Sequence, residues 1–309
     1  ISLRLMWCPR RLPLCPRRLT APRRIARSPF RLISDSALKF DSSEELEQYD
    51  DVIRTNPAEG VAELTLNSPK SRNALSSRMM SILQKHVDLL GEDASVRAVV
   101  LSANGPVFCA GHNLKEMKEV REKGIKGYQQ IFNQCSALMK SIVLLPKPII
   151  AQVEGIATAA GCQLVASCDM AVACREKARF ATPGVNIGLF CSTPMVALSR
   201  KIGRNHAMEM LLTGEAVDAN RAMEIGLVNR VVDSPDMVSS EAMSLAALIA
   251  QKSSKAVKIG KKAFYSQLEM PLEEAYDFTS DVMAANMMED DADEGVTAFL
   301  EKRAPKWNH

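Results

Sequence analysis

Acidic residues are missing from the first 34 positions of this 309-residue chain. Over that stretch stand Arg4, Arg10, Arg11, Arg17, Arg18, Arg23, Arg24, Arg27 and Arg31, and the first carboxylate is Asp35. Prolines punctuate it, with Ser and Thr between them. Arg-rich and acid-poor is the composition of an organelle transit peptide; a basic tail with no address is the plainer alternative. No uninterrupted apolar core of ~7–15 residues follows the charges, which disfavours a secretory signal. Residues 1–45 are therefore set apart from the folded unit. Long apolar runs are missing too: none reaches the ~18 residues that suggest a membrane span. Aromatics make up 5 % of the chain, the net charge is +3, and no basic stripe carries interleaved aromatics. Nucleic-acid binding has no support in such a pattern. The eight cysteines form no C-x-x-C pair, so no zinc-ligand spacing is present and no metal is expected. Cys109, Cys135, Cys162, Cys168, Cys174 and Cys191 lie mostly among apolar residues and read as reduced, buried small hydrophobes of an intracellular compartment. One further absence bears on chemistry: no His, Asp or Glu occurs between Ala178 and Asn205.

What is present is regular from Val61 onward. VAELTL (61–66) alternates as a half-buried strand does. SSRMMSILQKHVDLLGE (76–92) carries apolar residues at helical spacing, with Ser76 as N-cap. RAVVLSA (97–103) reads as a buried strand before an NGP turn, and a long helix is expected over 125–145, stopping before Pro146. Strands follow at 147–155 and 170–174, with a helix between them, and every segment after Pro194 reads as helix. Strands separated by helices imply an α/β fold with parallel pairing through right-handed crossovers.

Three loops can carry chemistry. VFCAGHNLKEM (107–117) turns at Ala110 and Gly111 and enters a helix at Asn113 or Leu114, whose first N–H groups are free. VEGIATAAGCQL (153–164) is crowded with small residues at a helix start. They serve either an accessible backbone or close helix–strand packing. Two N–H groups from two such loops, meeting on one carbonyl oxygen, make an oxyanion hole, and one such donor is typically worth ~3–4 kcal/mol in the transition state. FATPGVNIGLFCSTP (180–194) is the third loop, where a proton-transfer group would be sought and none stands.

In these three stretches, together with LNSPKSRNAL (66–75), MEMLLTGE (208–215) and GVTAFLEKRAPKW (295–307), the chain resembles the enoyl-CoA hydratase/isomerase family, the crotonase fold. The resemblance spans roughly residues 50–309. It implies a spiral of repeated ββα units over 50–235 and a C-terminal helical trimerisation region over 236–309, in a homotrimer or hexamer. It implies an acyl-CoA thioester as substrate or ligand, no other cofactor, and a place in fatty-acid metabolism in the mitochondrial matrix. By position, the backbone N–H groups of His112 and Ala160 would polarise the thioester carbonyl. Lys70, Arg72, His112, Asn113, Leu114 and Lys115 would meet the CoA adenine and phosphates. Lys302 or Arg303 of a neighbouring copy would add a further cation, and Asp169 would be structural.

The chain departs from the family it resembles in the two glutamates with which that family's hydratases add water. Those positions hold Gln163 and Gly184. Each such proton transfer is typically worth ~100–10,000-fold. Gln163 can orient a water or substrate but cannot exchange a proton near neutral pH. The usual LGxxPGxGG run reads IGLFCSTPM at 187–195. Three readings follow: an acyl-CoA-binding member with weak, altered or lost hydratase activity, a decarboxylase of malonyl-type CoA working through a stabilised enolate, or a non-catalytic binding protein. Cys191 has no neighbour in sequence to activate it as a nucleophile. Glu116 and Glu119 are the carboxylates that could approach the pocket from the helix after the first loop.

Overall fold

The computed structural model describes residues 50–308; the expected transit peptide lies outside them. The element order explains the spiral. Strand β1 (Val52–Ala58) forms an antiparallel hairpin with β2 (Val61–Leu66), and helix α1 (Ser77–Glu92) follows. Three units of similar design come next: β3 (Ala98–Ala103) and β4 (Val107–Cys109) before helices α2 (Leu114–Glu119) and α3 (Gly124–Leu144); β5 (Ile149–Val153) and β6 (Ile156–Thr158) before α4 (Ala160–Ser167); β7 (Met170–Cys174) and β8 (Arg179–Ala181) before α5 (Pro194–Lys201). The first strand of each unit joins a large sheet and the second joins a small one. Among the described residues, with two later strands, β9 (Val217–Asp218) and β10 (Arg230–Val232), the large sheet has the order β1-β2-β3-β5-β7-β10 and the small one β4-β6-β8-β9. This is the crotonase fold.

The apolar pattern drives that assembly. Successive residues of a strand face opposite sides, and β3 is apolar on both. Val99 and Leu101 join the main core with Met79, Met80 and Leu83 of α1. Ala98 and Val100 face a second cluster with Val238, Ala242, Leu245 and Ala246 of α8 (Pro235–Ala250). Helix α8 thus covers the outer side of the large sheet, although it lies in the segment expected to be a separate helical region. The Ser76 hydroxyl accepts the Met79 N–H at 3.0 Å, as its N-cap position requires.

After Pro194 the sequence shows only helical patterns, and most of the chain there is helical: α6 (Arg204–Thr213), α7 (Ala219–Glu224), α9 (Ser254–Gln267), α10 (Leu272–Met287) and α11 (Asp290–Leu300). Two strands interrupt it. β9 (Val217–Asp218) edges the small sheet, and β10 (Arg230–Val232) pairs in parallel with β7. Both are too short to show alternation and exist because an edge stands open beside them.

Asp169 has the structural part expected of it. Its carboxylate accepts the Ile149 N–H at 2.7 Å, the Lys261 ammonium at 2.7 Å and the Tyr265 hydroxyl at 3.0 Å. The Lys201 ammonium donates to the carbonyls of Cys168 and Asp169, both at 2.8 Å, at the C-terminal end of α4. Helix α9 is bolted to the core at this corner. Removing one partner of such a buried pair is typically worth ~3–5 kcal/mol, far more than a surface ion pair.

His86 on α1 is 5 % exposed, and neither ring nitrogen has a hydrogen-bond partner. Burial first, and the Arg54 guanidinium second, pull its pKa from 6.5 to about 4; the nearby Val52 backbone offsets part of this without reaching hydrogen-bond geometry. Between these two values the unfolded chain binds the proton and the folded chain does not. Stability is therefore full above pH 6.5 and falls as the pH drops toward 4, by about 1.4 kcal/mol per unit and about 3 kcal/mol in all. His86→Leu is expected to flatten that segment of the curve in urea unfolding at pH 7 and pH 4.5. An unchanged slope in the Leu variant would assign the acid sensitivity to other groups.

Candidate functional site

The three loops converge because three short strands lie side by side. β4, β6 and β8 pair in parallel, with Cys109 opposite Ala157, Ala157 opposite Phe180 and Thr158 opposite Ala181. The chain leaves all three at the same edge of the small sheet, so residues 110–113, 159–160 and 182–191 become neighbours. Adjacent strands are ~4.8 Å apart, and specific contacts tighten this further. The Thr158 hydroxyl donates to the Ala110 carbonyl at 3.1 Å, and the Ala159 N–H donates to the Ala181 carbonyl at 2.9 Å.

The small residues of the second loop serve close packing. A Cβ on Gly161 would lie 2.1 Å from the Cys109 carbonyl oxygen, and one on Gly155 would lie 2.3 Å from that of Pro106. Backbone meets backbone at both points, which seats the start of α4 on the end of β4. Gly111 completes the fit. Its φ is +86°, a left-handed conformation that suits glycine, and a Cβ there would lie 3.0 Å from the Thr158 carbonyl oxygen and 3.2 Å from the Ala160 nitrogen.

The geometry leaves two amides unspent. Ala160 is the first residue of α4, so its N–H has no partner within the helix. Leu75 donates to the Gly111 carbonyl and accepts from the Asn113 N–H, which leaves the His112 N–H between them unused. Among the described residues, neither N–H donates to a backbone carbonyl. Ala159 sets the direction of the second: its φ of 51° and ψ of −118° are unusual for a residue with a side chain, a conformation worth about 1–3 kcal/mol of strain. The ladder bond to Ala181 and the Gln163 N–H on the Ala159 carbonyl hold it there.

Beside the first loop runs residues 68–75. The Ala110 N–H donates to the Arg72 carbonyl at 3.0 Å, and the Leu75 N–H to that of Gly111 at 2.8 Å. Sequence reasoning passed over Asn73, which fixes this segment. It is fully buried at a φ of 51°, its Oδ1 accepts the Ser68 N–H, and its Nδ2 donates to the carbonyls of Asn104 and Val107. The signal lay in its residue type, since Asn tolerates the left-handed region. Lys70, Arg72 and Lys115 are exposed around these loops, and among the described residues none forms an ion pair or side-chain hydrogen bond. Asn113 caps α2 by accepting the Lys115 N–H at 3.0 Å, and Leu114 is exposed. Arg303 is held by Glu294 and Glu301, and no hydrogen bond brings it or Lys302 to the loops.

The two carboxylates named from sequence as able to approach the loops are otherwise engaged or exposed. The Glu116 carboxylate accepts the Ser77 N–H at 2.9 Å and its hydroxyl at 3.2 Å, at the start of α1. Glu119 is exposed to solvent. The His112 imidazole packs edge-on against Phe132 at 5.4 Å, and neither of its nitrogens has a partner. Burial holds its pKa below the ordinary histidine value. Gln163 is 4 % exposed on the wholly buried α4. At Gly184 a Cβ would stand 2.9 Å from both the Cys191 Sγ and the Leu189 carbonyl oxygen. The space of a side chain there is filled by the Cys191 thiol, which burial pushes toward the neutral form. Two cavities of about 480 Å³ lie elsewhere, one around Phe299 and Trp307, the other between the end of α4 and α9, where Asp169, Lys201 and Tyr265 line it; none of the loop residues just described lines either.

The family profile described as enoyl-CoA hydratase/isomerase matches residues 56–309. Enoyl-CoA hydratase domain-containing protein 3, mitochondrial, of Xenopus laevis is 44 % identical over 290 residues, covering 94 % of this chain and 96 % of that one. The Homo sapiens protein of the same name is 47 % identical, with coverage of 81 % and 82 %. Among solved structures, an enoyl-CoA hydratase of Mycobacterium smegmatis superposes with a TM-score of 0.80 at 51 % identity, over 83 % of this chain and 98 % of that one. The human domain-containing protein 3 superposes with 0.79 at 45 % identity, over 83 % and 100 %.

Proposed function

This chain belongs to the enoyl-CoA hydratase/isomerase family, and on that premise we propose that it binds acyl-CoA thioesters without adding water to them efficiently. The observation that carries the reading is the pair of unspent amides, His112 and Ala160, on two loops locked together beside a position 163 that holds an amide and a position 184 that holds no side chain. A thioester oxygen accepting from both N–H groups is polarised toward an enolate, and donors fixed in advance need no reorganisation as charge develops. Lys70, Arg72 and Lys115 suit the CoA phosphates, because unpaired cations form charge-assisted bonds to phosphate. Asn113 and Leu114, at the turn into α2, complete the wall on that side. The protein is placed in the mitochondrion, the word its vertebrate relatives carry in their names. Exposed apolar side chains along α10 and α11, among them Leu272, Tyr276, Met283 and Phe299, fit assembly into a homotrimer or hexamer. No described helix is long and apolar enough to cross a membrane.

A malonyl-type CoA is the second reading. Loss of CO₂ leaves the enolate directly, so no protein base is needed. The neutral Gln163 also removes the negative charge that would repel a substrate carboxylate.

Calorimetry with CoA and butyryl-CoA, and a crotonyl-CoA hydration assay, test the proposal together. Butyryl-CoA is expected to bind more tightly than CoA. Hydration is expected to run at least about 10,000-fold slower than in members carrying both carboxylates, since two proton-transfer groups are absent. Rapid hydration would refute the deficiency. Absence of any CoA affinity would point to a protein-binding role.

A further inference from the structure

The cavity behind the C-terminal end of α4 has a composition of its own. It holds about 480 Å³ and opens between α5 and α9. Most of its wall is hydrocarbon, from Leu144, Ala166, Ala197, Phe264 and Leu268. Leu144, Phe264 and Leu268 are exposed, so apolar surface stands bare at its rim. Cavities that take small molecules are typically ~300–1,000 Å³, apolar in the main, with a few placed polar groups.

The charges on this wall do not balance. Asp169 is matched by Lys261, and Glu269 by Arg200, whose Nε donates to it at 2.9 Å. Lys201 is the cation left over: among the described residues no carboxylate lies within ion-pair distance of it. An ammonium carries three donors. Two reach the carbonyls of Cys168 and Asp169, where the negative end of α4 favours a cation. The third has no partner among the described residues. Arg200 offers a second spare donor. Its Nη1 donates to the Val196 carbonyl at 3.3 Å, and its Nη2 donates to no described residue. Burial is the main cause that holds the Lys201 pKa below the ordinary lysine value. A half-buried cation without a counter-charge is costly, and an anion beside it offsets that cost.

We propose that this cavity is a second binding site, for a monoanion with a hydrocarbon body: an alkyl carboxylate whose head accepts from Lys201 and Arg200 and whose chain lies along Leu144, Phe264 and Leu268. The single uncompensated charge matches a carboxylate better than a phosphate dianion. The site lies at the opposite end of α4 from the Ala160 amide and uses none of the three loops, so it stands independently of the acyl-CoA reading.

Calorimetry of the full chain with octanoate, octan-1-ol and octylamine tests it, repeated on Phe264→Asp, Arg200→Gln and Lys201→Met. Octanoate is expected to bind about 10-fold or more tighter than octan-1-ol, the usual worth of a charge-assisted hydrogen bond, and octylamine is expected not to bind. Phe264→Asp sets a carboxylate at the rim, on an exposed position, and is expected to weaken octanoate by about 10-fold or more. Arg200→Gln is expected to weaken it less, and Lys201→Met to erase the preference over octan-1-ol. Lys201→Met also uncaps α4; should it fail to fold, the two exposed substitutions carry the test. Equal binding of the three probes, or octanoate binding untouched by Phe264→Asp, would overturn the proposal. Absence of octanoate binding would overturn it as well, and an oligomer seen by sedimentation would then assign the bare hydrocarbon to contact between copies. Butyryl-CoA titrated alongside reads the loops separately, so failure of either site leaves the other standing.

Discussion

Gly161→Ala is expected to destabilise the protein by on the order of 3 kcal/mol and to abolish acyl-CoA binding. The added methyl would stand 2.1 Å from the Cys109 carbonyl oxygen, 2.8 Å from its carbonyl carbon and 2.9 Å from its Cβ. Two of these atoms are backbone in β4, and a strand cannot turn aside as a side chain can. Helix α4 is wholly buried, so it cannot lift away without opening the core. Overpacking typically destabilises by ~1–3 kcal/mol, and a clash with main chain belongs at the upper end. For a domain of this size that corresponds to a loss of about 10 °C in Tm. Gly260→Ala is the control. Gly260 lies in α9 with nothing within 4 Å of an added Cβ, and the better helix former should stabilise by about 0.5–1 kcal/mol. Equal effects of the two substitutions, read by thermal unfolding, would contradict the seating of α4 on β4.

Ala160→Pro is expected to lower any thioester-dependent turnover of the folded protein by about 100–1,000-fold, the usual worth of one oxyanion donor. Proline is welcome at the first position of a helix, where its missing N–H has no intrahelical partner to lose. Proline favours a preceding residue at ψ of about +120 to +160°, and Ala159 stands at ψ −118°, so the ring also strains the turn before the helix and lowers stability. The substitution thus removes one hydrogen-bond donor and places a carbon where the ligand oxygen would rest. Ala160→Gly, which keeps the N–H, should retain the preference for acyl-CoA over CoA. Retained turnover in a folded Ala160→Pro protein, checked by circular dichroism, would exclude this amide from the chemistry.

Much of this was legible in the sequence. Helix α1 and strands β2, β3 and β7 repeat their apolar pattern over enough residues to be recognised within a residue or so of their ends. The resemblance pointed to the loops that hold His112 and Ala160, which the structure places side by side, and to Asp169 as a structural residue. Strands β4, β6 and β8 were a different matter. Each has three residues, too few to display a period, and each is defined only by the partner beside it. Yet these three strands bring the loops together. The purpose of Gly155 and Gly161 was open for the same reason: a small residue looks identical whether it admits a ligand or a carbonyl of its own chain. Lys261 and Tyr265 could not be joined to Asp169 from sequence, since 92 and 96 residues separate them.

Helix α4 begins at the Ala160 amide and ends where Lys201, Lys261 and Tyr265 grip the chain around Asp169. With about 12 Å between its ends and no residue free of the surrounding packing, it behaves as a stiff strut. A tilt imposed where α9 is fastened would be carried along the helix toward the amide. The seating of the C-terminal helices and the aim of a donor at the opposite end are in this way one adjustment, and a substitution that loosens the distant fastening would blunt the site without touching it.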